Sequence, residues 1–210
     1  MNWGELKSAV AAWSKRSDLT AVLPVFLDLA EQRIYNGQEL GGGSSIPPLR
    51  LSNMMTTISP FTGTTLPADF IEAKRVSWFL DGTVKRTLDF LPLERMSSSE
   101  GQQGRPAYFS IKGNSIVYAP TFTNNVELVY FAKFTTPSAD GDTNWLLSNA
   151  SAVYLWAMCI EAALWMHDDA MASRASAAFS GAMNALQAQD DGNKHSGAQL
   201  RMTSDARRLI

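Results

Sequence analysis

Charge is scarce in this chain. Only 18% of its 210 residues are Asp, Glu, Lys or Arg, against roughly 25% in an average soluble domain. A surface so poor in charge implies that part of it is covered in the working state, which raises the expectation of an oligomer. Cysteine is scarcer: Cys159 stands alone, which excludes an intrachain disulfide and makes a reducing compartment the expected home. Histidine is limited to His167 and His195, so the commonest general base is nearly missing, and a side-chain zinc site has too few ligands to draw on. No long hydrophobic run is present either. The most apolar stretch, Ala150 to Met166, is interrupted by Glu161 and falls short of the ~20 residues that a membrane span needs. It reads instead as a buried helix. Met1-Asn2-Trp3-Gly4-Glu5 lacks the basic start and apolar run of a signal peptide.

What the chain does have is apolar bulk. Hydrophobic residues make up 45% of it, with six Trp and ten Phe, enough for a sizeable core in one domain or two small ones. Net charge is −2 with a pI near 5.7, so no bulk basic footprint for nucleic acid is present. The charge is uneven, however. Lys194, Arg201, Arg207 and Arg208 in the last segment oppose Asp205 alone, leaving a basic tail on an acidic body. Such a tail suits docking onto an acidic partner.

Periodicity divides the chain into helical and extended parts. Asn2 and Glu5 have the spacing of a capping box, and Leu6, Val10 and Trp13 then form one apolar stripe. Pro24 suits the first turn of a second helix with Phe26, Leu27, Ala30 and Ile34 inward, and Asn36-Gly37 is its expected stop. Gly41-Gly42-Gly43-Ser44-Ser45 reads as a flexible linker; a P-loop is excluded because Ile46 and two prolines follow where Gly-Lys-Ser/Thr is required. From Leu49 to Pro137 the pattern is strands and turns. Val76, Trp78 and Leu80 alternate before Asp81-Gly82, Tyr108 to Lys112 alternates before Gly113-Asn114, and Val126 to Lys133 is the strongest strand. Helix returns after Asn144. Val153, Trp156, Ile160, Ala163 and Leu164 share one face, while Leu155, Met158, Cys159 and Trp165 cover the rest, the mark of a helix buried on several sides. Met171, Ala175, Ala178, Phe179, Ala182, Met183 and Leu186 recur at helical spacing up to Asp190-Asp191-Gly192. The expected fold is therefore α+β, a helical bundle from the N- and C-terminal segments with an inserted small antiparallel β-sheet domain and an extended C-terminal arm. Its boundaries fall at 1–48, 49–137, 138–191 and 192–210.

Chemistry-bearing groups are few and have ordinary explanations. Cys159 lies inside an apolar run, where a thiol is usually inert. No Gly-x-Ser-x-Gly elbow places a serine. Asp140/Asp142 and Asp190/Asp191 stand in glycine-containing loops and read as turn residues, and His167-Asp168-Asp169 reads as a helix junction rather than a cation site. Glu161 is flanked by apolar residues and needs a partner, for which Arg33 is the candidate. No catalytic, cofactor-binding or metal-binding residue is assigned, and no enzyme is expected.

A resemblance adds to this reading. Trp3-Gly4-Glu5-Leu6, Ser17-Asp18-Leu19, Leu66-Pro67-Ala68-Asp69-Phe70, Gly104-Arg105-Pro106-x-Tyr108-Phe109 and Val126 to Ala132 occur in this order. Asn144-Trp145-Leu146-Leu147, Asp168-Asp169-Ala170 and Ser196-Gly197-Ala198-x-Leu200-Arg201-Met202 follow. Together they resemble the podovirus-type phage head-to-tail adaptor (connector) proteins over nearly the whole chain. The resemblance implies a structural protein of the virion neck, made in the host cytoplasm and assembled as a homo-oligomeric, dodecameric ring. It implies as partners the portal protein and the tail nozzle, non-specific contact with passing DNA, and no membrane. The candidate portal-binding arm is Leu200, Arg201, Met202, Arg207, Arg208 and Leu209. Alternatives are another neck or tail component such as a stopper or tail tube, a cell-wall-acting hydrolase, or a sugar-binding module using aromatics of the 49–137 segment.

Overall fold

A computed structural model describes residues 1–40, 44–80, 84–96, 104–121 and 126–195. The first helix, α1 (Trp3–Ser14), starts as the sequence indicates. The Asn2 side chain accepts from the Glu5 N–H at 2.8 Å, and the Glu5 carboxylate accepts from the Asn2 N–H at 3.0 Å. Leu6 and Val10 are fully buried, but Trp13 is 57% exposed. The inward stripe runs instead through Trp3, Leu6, Val10 and Ser14, a spacing of three and then four residues that turns Trp13 onto the helix shoulder. A 3-10 turn at Asp18–Ala21 leads to α2 (Leu23–Asn36), which has Pro24 in its first turn and buries Phe26, Leu27, Ala30 and Ile34.

Helix α2 ends at Gly37, whose φ of +75° is one that side-chain-bearing residues rarely adopt. A Cβ there would also stand 2.7 Å from the Ile46 carbonyl oxygen. The close approach exists because β1 (Gln38–Leu40) and β2 (Ser44–Ile46) pair antiparallel, Gln38 opposite Ile46. Gly41–Gly43, read as part of a linker, lie outside the described residues. The segments on either side are paired with each other, and Ile46, Leu49, Leu51 and Met54 continue the helical core.

The sheet comprises β3 (Met55–Phe61), β4 (Phe70–Leu80), β5 (Val84–Phe90), β6 (Tyr108–Lys112), β7 (Ser115–Ala119) and β8 (Val126–Ala132), in the order β3-β8-β4-β5-β6-β7. It is mixed, which corrects the antiparallel expectation: Asp89 and Phe90 of β5 pair in parallel with Tyr108 and Phe109 of β6. The physical reason is the connection. Short turns force antiparallel neighbours, as at Gly113-Asn114, whereas the longer passage from β5 through α3 (Leu93–Met96) lets the chain re-enter in the same direction. The sheet also curls back on itself. Thr65 bridges Ser115, with Leu66 N–H to Asn114 O at 3.0 Å and Ile116 N–H to Thr64 O at 2.7 Å, so the segment just after β3 covers the free edge of β7. Phe61, Val76, Trp78, Leu88, Phe109, Ile116 and Leu128 fill the space enclosed.

The chain then returns to helices α4 (Trp145–Asn149), α5 (Ser151–Trp165) and α6 (Asp169–His195). Helix α5 is buried over most of its surface and is packed by α1, α2, α4 and α6. The picture of a helical bundle carrying a separate antiparallel insertion is thus replaced by an α+β architecture with a mixed six-stranded sheet. Phe131 of β8 is part of the helical core, with Ile71 and Phe134 packed against it. The expected stop at Asp190-Asp191-Gly192 is also corrected. Helix α6 runs on to His195 because Lys194 reaches back to Asp190 at 2.7 Å and Asp191 at 3.0 Å, supporting its last turn. The segment assigned to an extended arm therefore begins as helix, and its remainder, 196–210, lies outside the described residues.

Two glycines separate conformational need from mere tolerance. Gly37→Ala is expected to destabilise the protein by about 1–3 kcal/mol, because positive φ and a backbone clash act together. Gly181→Ala in the middle of α6, where a Cβ meets nothing within 4 Å, is expected to stabilise it by about 0.5–1 kcal/mol. Urea unfolding of the two variants beside the parent checks both signs.

Candidate interaction surfaces

The chemically notable residues are engaged in structure. Glu161, on α5, receives Arg33 Nε at 3.0 Å and Nη2 at 2.6 Å, both on the same oxygen Oε1. The two side chains are 9% and 14% exposed, so this is the pair that the sequence suggested. The Arg33 Nη1 donates to Gln38, which ties β1 to the same site. Cys159 is fully buried, and burial pushes its thiol up to about 12. His167 occupies a left-handed position, φ 56°, at the corner between α5 and α6. Asp168 caps α6 by accepting from the Met171 N–H at 2.8 Å, the junction role expected of this triplet.

A second polar group was not singled out from the sequence. Glu31 of α2 accepts from Tyr154 Oη at 2.9 Å and Thr136 Oγ1 at 2.6 Å, and Asn144 Nδ2 donates to the same Tyr154 oxygen at 3.1 Å. Tyr35 accepts from the Phe134 N–H at 3.1 Å. Desolvation holds the Glu31 carboxyl above its ordinary value, against the lowering effect of the Thr136 and Tyr154 hydrogen bonds. Burial likewise pushes the Tyr35 hydroxyl up to about 12 and raises that of Tyr154. These residues join α2 and α5 to the stretch that leaves the sheet after β8. The same stretch caps α1: Asp142 O and Asp140 O accept from the Trp3 and Gly4 N–H groups, each at 2.9 Å. No hydrophobic period marks such a network, and Glu31 falls on the inward side of α2 as its only clue.

The sheet has one comparable feature. Glu127 of β8 is buried and binds Lys85 Nζ at 2.6 Å and Arg75 at 3.1 Å, and the Lys85 hydrogen bond chiefly holds its carboxyl below the usual range. Lys85 and Arg75 are half-exposed and neutralise this carboxylate. No group of three His, Cys, Asp or Glu that could hold a metal ion is found among the described residues, and no described helix is long and apolar enough to cross a membrane.

Several large apolar side chains also remain on the surface. Trp13 meets Trp156 edge-to-face at 4.8 Å between centroids, and with Met171 and Ala175 they line a groove of about 250 Å³ between α1, α5 and α6. Lys15 and Arg174 stand at its rim. Elsewhere Trp165 is 60% exposed and lies against Phe26, centroids 6.1 Å apart. Leu164 and, on α2, Val25 and Leu29 are exposed too. Leu164 and Trp165 were expected inside; they sit at the last turn of α5, beyond the neighbours that cover its middle. The arm residues Leu200, Arg201, Met202, Arg207, Arg208 and Leu209 lie outside the described residues.

The model of the SU10 adaptor protein family matches residues 1–203. The chain belongs to the SU10 adaptor protein family. That family is one of phage head-to-tail adaptors, structural proteins whose place is the neck of the virion and whose partners are other head and tail proteins. No curated protein matches the chain. For an SU10 adaptor, exposed tryptophans on helices are the surface to expect, since tryptophan is favoured where an apolar face is buried between proteins.

Two variants test the polar sites. Arg33→Ala leaves the Glu161 carboxylate buried without its partner and is expected to cost about 3–5 kcal/mol, whereas replacing both residues with leucine or methionine should cost far less. Chemical denaturation of the single and double variants reads the difference. The raised carboxyl of Glu31 binds a proton more readily folded than unfolded, so its contribution falls as pH rises from the unfolded value through the folded one. Glu31→Gln removes this dependence. The variant's melting temperature relative to the parent should therefore climb as pH rises above the unfolded glutamate value of about 4.3, and a difference that stays constant with pH would contradict the assignment.

Proposed function

We propose that this protein is a ring-forming head-to-tail adaptor that joins the portal to the tail nozzle. The observation that carries the reading is the near full-length family match, 1–203. Two features of the chain support it: low charge, 18% of residues, and exposed tryptophans on two sides of the helical core. In this reading the helical segments 1–48 and 138–191 build a dodecameric ring, the sheet segment 49–137 faces the nozzle, and the basic segment 192–210 reaches the portal. DNA passes through the ring with few and non-specific contacts. The protein works without catalysis: repeated copies turn a modest side-to-side contact into a closed structure, and each arm then binds at high effective concentration.

Within the arm, Leu200, Met202 and Leu209 serve as apolar anchors, and Arg201, Arg207 and Arg208 steer it onto an acidic surface. Removing 196–210 is expected to abolish co-purification with the tagged portal protein of the same genome while leaving the melting temperature of the body within a few degrees. Undiminished capture of the truncated chain would overturn the arm assignment. Loss of capture with the full chain as well would overturn the adaptor reading itself.

A further inference from the structure

The two exposed apolar regions stand in a definite relation. Trp156, in the groove, and Trp165, on the shoulder, are nine residues apart on α5, about two and a half turns. They therefore leave the helix on opposite faces, one toward α1 and the other toward α2, as their contacts with Trp13 and Phe26 show. One region is a depression and the other a projection. The groove recedes between three helices with the Trp13–Trp156 pair on one side and Met171 and Ala175 among its other lining residues. The shoulder presents Trp165, Leu164, Val25 and Leu29 to solvent.

Their charges are opposite as well. Lys15 and Arg174 rim the groove, and among the described residues neither has an acidic side chain within ion-pair distance. Asp28 is exposed on α2 beside Val25, because positions three apart on a helix adjoin. Asp169, also exposed, begins α6 a few residues after Trp165. An apolar hollow with a cationic rim and an apolar projection with an anionic border thus occupy opposite sides of one chain.

We propose that the occupant of the groove is a second copy of this chain, which inserts its Trp165 shoulder into the hollow against the Trp13–Trp156 pair and brings Asp28 and Asp169 toward Lys15 and Arg174. Such a contact is heterologous, head to tail: each copy uses one surface to receive and the other to enter, so the series continues until rotation closes it. The inference rests on the ring reading and deepens it by naming the two surfaces that meet. The apolar insertion supplies affinity, and the charges fix which end enters which hollow.

The test uses the full chain, expressed together with the neighbouring head and tail genes, with Asp28→Cys and Arg174→Cys introduced singly and together. Native Cys159 is buried, so a short bismaleimide reports the introduced thiols. The double variant is expected to give a ladder of cross-linked multimers and each single variant none. Adding Trp165→Ala should weaken the ladder about 30-fold or more, as for the loss of a central aromatic anchor, with the melting temperature of the chain preserved. Dimers from either single variant would overturn the proposal in favour of a symmetric contact. Rings visible by electron microscopy without a ladder would overturn it and leave the ring reading standing. Absence of any ring for the parent chain would remove the ring reading, and this contact with it.

Discussion

Helix α5 is apolar around most of its circumference, and the rest of the helical region is arranged to cover it. An isolated helix of this kind has no face to offer water, so α1, α2, α4 and α6 must surround it before any of them has a reason to stay where it is. Tyr154, Ala157, Met158, Cys159 and Ala162 are fully buried in consequence. The one charge on that stretch, Glu161, becomes tolerable only because Arg33 arrives from α2. Coverage fails at the last turn, where Leu164 and Trp165 emerge.

The polar residues hold the halves in register. The stretch after β8 could leave the sheet in many directions, but Thr136, Asn144 and the Phe134 N–H are each bonded to α2 or α5, while the carbonyls of Asp140 and Asp142 take the first N–H groups of α1. Buried polar networks of this type contribute modestly to stability and more to a single arrangement, since every alternative leaves a donor or acceptor unpaired. In the ring proposed above, a fixed angle between helices and sheet would matter, because small angular errors accumulate from copy to copy. Phe131 and Phe134, packed against helical residues, add apolar contact across the same seam.

Much of this was legible in the residues, and the failures have physical causes. The capping box of α1, the Gly37 stop, the Gly113-Asn114 hairpin and the Arg33–Glu161 pair follow from local spacing or from the cost of an unpaired buried charge, and they stand as read. The parallel β5–β6 pairing could not be read, because strand direction depends on a crossover and not on alternation. Trp13 and Trp165 were misplaced for a related reason: period marks an apolar face, but which apolar residues at a helix end remain uncovered depends on neighbours distant in the chain. The extension of α6 past Gly192 shows a turn signal overruled by Lys194 and its two aspartates. The Glu31 network stayed hidden because its members, Glu31, Thr136, Asn144 and Tyr154, come from three separate segments. Nothing in composition or period named a phage neck; that came from ordered motifs across the chain and is carried by the family match over 1–203.

The functional account is one of surfaces, consistent with the SU10 adaptor protein family as a family of structural phage proteins. Its polar sites secure geometry, and in the reading proposed above its exposed tryptophans and basic terminal segment meet other proteins. The most direct measurement is electron microscopy of this protein mixed with the portal protein encoded in the same genome. The account predicts a closed ring of adaptor copies seated on the narrow end of the portal. A chain that stays monomeric and leaves the portal bare would contradict it.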